Sequence, residues 1–104
     1  MVLQPETILK HAFIGIMGVD NHGIIQYANL RAEQLLHSDI ALGTSLKEID
    51  PCMAEQILSC IEQNQDCLTF HVKKPGHGIE TMVSLMTCDN GTKGATCFMR
   101  NLEE

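Results

Sequence analysis

The sequence predicts a single α+β domain, a five-stranded antiparallel sheet with three short helices packed on one face. Three observations lead there. Two apolar, β-branched stretches flank a turn cluster at residues 20–23. Apolar residues then recur at helical spacing between residues 29 and 64. The last forty residues return to strand-like runs separated by two further turn clusters.

The elements follow in order. Ile8, Leu9 and Ala12 share one side of a short N-terminal helix over residues 5–12. Residues 13–27 form a β-hairpin. Its turn, Asp20-Asn21-His22-Gly23, suits the positive φ that Asn and especially Gly tolerate. Asn29 is placed to cap the next helix through its side-chain oxygen, with Ala32, Leu35 and Leu36 on the buried face as far as His37. Ser45-Leu46-Lys47-Glu48 reads as a capping box on a single helical turn. Asp50-Pro51 opens the longest helix, with Asp as N-cap and Pro at the first helical position. Met53, Ala54, Ile57, Leu58 and Ile61 are its apolar set. Strands follow at 66–73, 79–88 and 94–102, separated by turns at 74–78 and 89–93. The order is β-β-α-α-α-β-β-β. Both faces of the strand at 79–88 are apolar, with Met82, Met86 and Cys88 on one and Ile79, Val83 and Leu85 on the other. A sheet with one wet face alternates more cleanly, so a cover is expected on each side.

Composition narrows the function. At 104 residues the chain suits one domain, and 44% apolar residues are enough for a core. The net charge is −6 and the seven basic residues are scattered, so the basic stripe that neutralises phosphates is missing. Direct nucleic-acid contact is not expected. No apolar run approaches the roughly 20 residues of a membrane span, and the first residues lack a signal-peptide pattern, so a cytoplasmic location is expected. Five cysteines, an odd number in that setting, are read as reduced thiols. No nucleophile–base signature or phosphate-cradling glycine loop points to catalysis, and the domain is read as no enzyme.

Gly15-Ile16-Met17-Gly18-Val19-Asp20-Asn21-His22-Gly23-Ile24-Ile25-Gln26-Tyr27-Ala28-Asn29 resembles the opening of the PAS family: an apolar strand, an Asp and a Gly in the turn, a second strand, then Asn opening a helix. Ala32-Glu33-Gln34-Leu35-Leu36, Gly43-Thr44-Ser45-Leu46 and the closing Arg100-Asn101-Leu102-Glu103-Glu104 are similar to later family segments. Leu30 departs from the Pro common after the capping Asn. The resemblance implies a helical lead-in over 1–12, a PAS core over 13–102, and the start of a connector at 103–104. It also implies a signal-input function inside a larger bacterial protein. An enhancer-binding transcription activator is the parent most resembled, with a sensor histidine kinase as runner-up and a ligand-free dimerisation module as the alternative. The output domain would lie in the same polypeptide.

The family's cofactor subtypes fit poorly. No cysteine has the Asn-Cys-Arg-Phe-Leu-Gln neighbours of flavin photosensors, residues 51–64 carry no His for haem, and no C-x-x-C suggests an iron–sulfur cluster. No cofactor and no metal are therefore expected. The short segment between residues 37 and 50 implies a small pocket and a small apolar ligand. Met53, Ile57 and Ile61 are expected to form one wall, with His71 or Ser84 orienting the ligand and Met86 as an adjustable side. His22 and His77 read as solvated turn residues. Asn29 and Gly23 are structural candidates. Ile8, Leu9 and Ala12, with the two-sided strand, suggest a homodimer interface.

Overall fold

In the computed structural model, which describes residues 14–65, 68–74, 76–87 and 91–102, the chain opens with a hairpin. Its strands are β1 (Gly15–Val19) and β2 (Ile25–Ala28). The turn between them is held by Asp20, whose Oδ1 accepts from the backbone N–H of His22 (2.8 Å) and of Ile24 (3.0 Å). Gly23 adopts φ +77°, where a Cβ would be strained. The expected N-terminal helix with Ile8, Leu9 and Ala12 lies outside the described residues.

Three helices cross over before the chain returns to the sheet: α1 (Leu30–Leu36), α2 (Leu46–Ile49) and α3 (Pro51–Glu62). Asn29 caps α1 by accepting from Ala32 N–H at 3.0 Å. Asp50 caps α3 by accepting from Met53 N–H at 3.0 Å, with Pro51 in the first turn. The capping box expected at Ser45 does not form. Ser45 holds the N-cap position of α2, but its side chain makes no capping bond. Its backbone instead bridges to Ile24, and Gly43 N–H donates to Ile25 O while Ile25 N–H donates to Thr44 O. Residues 43–46 thereby cover the free edge of β2.

Strands β3 (Leu68–Lys74), β4 (His77–Thr87) and β5 (Lys93–Asn101) complete an antiparallel sheet of order β2-β1-β5-β4-β3. The last strand to form in sequence is central, joining the N-terminal hairpin to the C-terminal one. The β3–β4 turn is tighter than expected, with pairing up to Lys74↔His77 and Gly76 at φ +86°. His77 therefore begins a strand.

The helices lie on one face. Met17, Val19, Ile79, Val83, Cys97 and Met99 from the sheet are buried with Leu35, Leu46, Met53, Ile57 and Cys60 from the helices. Gly15 marks the tightest approach: a Cβ there would lie 3.1 Å from Ala32 Cα and 3.2 Å from Ala32 N. Only a glycine lets β1 and α1 come so close. Among the described residues no helix is long and apolar enough to cross a membrane.

Candidate functional site

Strand parity decides what can share a site. Along β4, Ile79, Thr81 and Val83 are fully buried beneath the helices, while Met82 and Met86 are 46% and 44% exposed on the opposite face. Along β3, Leu68, Phe70 and Val72 pack against the core, and Thr69, His71 and Lys73 are exposed.

The expected pocket residues consequently separate. Met53, Ile57 and Ile61 line the inner side of α3, all buried. His71, Ser84 and Met86 stand on the far face of the sheet, so they cannot orient a ligand held against α3. His71 is instead a neighbour of Glu80, with Nε2 3.5 Å from Oε2. Met86 Sδ accepts from the Thr96 hydroxyl at 3.1 Å. Fully buried on the inner face of the sheet are residues not among the expected pocket walls: Thr81 on β4, and Met17 and Met99 on β1 and β5. Parity with Ile79 and Val83 was the signal that would have found Thr81.

The outer face has its own organisation. Ile16, Phe98 and Met82 stand in register across β1, β5 and β4, an apolar row. Ile14 lies beside it, 46% exposed, and Leu102 packs over Gly78. The next row is charged: Arg100 Nε donates to Glu80 Oε1 at 2.7 Å, with His71 on the other side of Glu80. The bond from Arg100 holds the Glu80 carboxyl below its ordinary range and Arg100 itself above its own.

Surface concavities adjoin the fold among the described residues. One of about 500 Å³ is bounded by Leu30, Glu33, Gln34, His37, Ser38 and Asp39 at the end of α1. Another, about 280 Å³, lies between Asn64 and the β4–β5 hairpin, where Lys93 reaches the Asn64 side chain. His37 closes α1 in the left-handed region at φ 52°. The His77 ring, 4.9 Å from that of His37, contacts Leu35 O through Nε2 at 3.2 Å, so His77 braces a helix end and is not a solvated turn residue. Cys60 and Cys97 are buried, and burial pushes the Cys97 thiol up to about 12, with Cys60 adding to the shift. Cys52 is exposed. Among the described residues no group of three or more His, Cys, Asp or Glu could hold a metal ion.

The family model for the PAS fold matches residues 3–102, nearly the whole chain. The chain belongs to the PAS family. No curated protein matches this PAS domain. Solved structures do. The PAS domain of nitrogen regulation protein NR(II) from Vibrio parahaemolyticus is 20% identical, with TM-score 0.71, covering 97% of this chain and 100% of that one. A domain of an HTR-like protein from Haloarcula marismortui is 17% identical at TM-score 0.71, covering 88% of this chain and 99% of that one. Vibrio cholerae VqmA, solved as a dimer, is 17% identical at TM-score 0.75, covering 98% of this domain but 52% of the longer chain. At these identities the likeness is one of fold. PAS domains are generally non-catalytic sensory modules.

Proposed function

We propose that this PAS domain is the signal-input unit of a larger cytoplasmic regulatory protein, a transcription activator or a sensor histidine kinase. A small, largely apolar ligand lodges between the helices and the inner face of the sheet. The resulting shift leaves through the C-terminal end of β5. The observation that carries this reading is the make-up of that interface: Met17, Met53 and Met99 are all fully buried there, on three different elements. Unbranched thioether chains can repack around a guest at low cost. Because β5 pairs with both β1 and β4, a displacement of Met99 acts directly on the strand that leads out of the domain.

Replacing Ile57, fully buried on α3, with Trp fills the interface. Overpacking of this kind costs about 1–3 kcal/mol, and the fold is expected to survive. The parent protein carrying Ile57→Trp should fold and lose its response to the signal. A variant that still responds fully would overturn the interior site.

A second reading, a dimerisation module, is favoured by the apolar outer row of Ile16, Phe98 and Met82. A second copy is its natural cover, since one self-complementary patch suffices for an isologous dimer. Sedimentation at micromolar concentration should show a dimer that Met82→Glu dissociates. A strict monomer at high concentration would remove this reading.

A further inference from the structure

Among the described residues three polar side chains are buried: Asn29, Asp50 and Thr81. Asn29 and Asp50 cap helices. The Thr81 hydroxyl, on a fully buried residue, has no hydrogen-bond partner among the described residues. It stands on the inner face of β4 between Ile79 and Val83, with Phe70 and Met99 as its cross-strand neighbours. Valine has the same shape and would leave nothing unsatisfied. Buried polar groups are nearly always paired, so an orphan hydroxyl among apolar neighbours calls for an explanation, and a ligand that pairs with it is one.

Water is a poor occupant, because a buried water needs two to four polar partners. Its neighbours along and across the sheet, Ile79, Val83, Phe70 and Met99, are all apolar, and the backbone of β4 is paired with β3 on one side and β5 on the other. The complement to one hydroxyl in an apolar surround is a molecule with one polar atom on an apolar body. Met99, directly across from Thr81, is the adaptable chain that admits it.

We propose that the Thr81 hydroxyl is the hydrogen-bonding anchor of the interior site, and that the ligand class is a compact, mostly apolar molecule bearing a single oxygen. This rests on the interior-site reading above and deepens it by naming the anchor and the polarity of the guest. The hydroxyl both donates and accepts, so alcohols, phenols and ketones all satisfy it.

Phenol and toluene, which match in shape and differ by a hydroxyl in place of a methyl group, are suitable probes. The 104-residue chain is titrated with each, following amide shifts and melting temperature. Wild type should bind phenol about tenfold more tightly than toluene, with the largest shifts at Phe70, Thr81 and Met99. Thr81→Val should melt higher by roughly 4–8 °C without any probe, and should lose the preference for phenol. Thr81→Ser should keep it. Equal binding of phenol and toluene by wild type, or an undiminished preference in Thr81→Val, refutes the anchor and leaves the interior site standing. If neither probe shifts the interior amides at about 10 mM, far above a useful affinity for so small a guest, the interior site fails and the anchor with it.

Discussion

Replacing Asn29 by Ala tests whether the first helix and the first strand are one mechanical unit. From sequence, Asn29 is a helix cap, and losing a cap costs on the order of 1 kcal/mol. The structure gives the side chain more to hold. Its Oδ1 accepts from Ala32 N–H (3.0 Å) and also from Ile16 N–H (2.9 Å), and its Nδ2 donates to Ile14 O (2.9 Å). The residue is 2% exposed. Truncation strands the Ile16 amide in a half-buried setting, which adds ~1–1.5 kcal/mol. Ile14 is exposed enough for its carbonyl to find water, so that bond adds only ~0.5 kcal/mol. The sum is about 3 kcal/mol, three times the cap alone, and corresponds to a fall in Tm of roughly 12–24 °C for a domain this small. Asn29→Asp separates the terms. It keeps the acceptor for both amides, loses the donor, and sets a carboxylate against Ile14 O, so it should cost about 1 kcal/mol at neutral pH and less in acid, where the protonated carboxyl regains a donor. Urea melts with an unchanged m-value are the assay. An Ala variant costing no more than about 1 kcal/mol, or Ala and Asp variants of equal stability, would refute the cross-element role.

Two further tests address packing and burial. Gly15→Ala should destabilise by about 1–3 kcal/mol, since its methyl meets the backbone of Ala32 and cannot be accommodated by rotating a side chain; a neutral melt would mean α1 slides freely on β1. For Cys97, the unfolded chain ionises the thiol near 9.0 while the folded one keeps its proton to about 12, so the folded state binds more protons and stability falls as pH rises through that window. The slope from this one group approaches ~1.4 kcal/mol per pH unit and should be missing in Cys97→Ala; identical alkaline slopes in the two proteins would count against a buried, protonated Cys97.

Most of the architecture was legible because the relevant signals are local. Asp20 and Gly23 form their turn with each other, and Asp50-Pro51 starts α3 with groups three residues apart. Where partners are distant, the reading failed. Ser45 has every neighbour a capping box requires, yet its segment is committed to the edge of β2, some twenty residues earlier in sequence. His77 looked like a turn residue because Pro75, Gly76 and Gly78 surround it, but its ring is held by Leu35 O, 42 positions away. Asn29 shows both cases in one side chain: the bond to Ala32 was readable and those to Ile14 and Ile16 were not.

The candidate site was half legible, and the missing half follows from arithmetic on the strands. A helix contributes neighbours three and four apart, so Met53, Ile57 and Ile61 necessarily share a face. A strand contributes alternate residues, so Ser84 and Met86 cannot look the same way as Val83. Choosing them for polarity and flexibility ignored the alternation already visible in Ile79, Val83 and Leu85. The constraint runs the other way as well. With Ile79 and Val83 on the inner face, the residue between them on that face is Thr81, and Phe70 and Met99 flank it once β3 and β5 pair with β4. Two strands of parity and one register therefore reduce the polar candidates on the inner face of β4 to a single buried hydroxyl, which has no hydrogen-bond partner among the described residues.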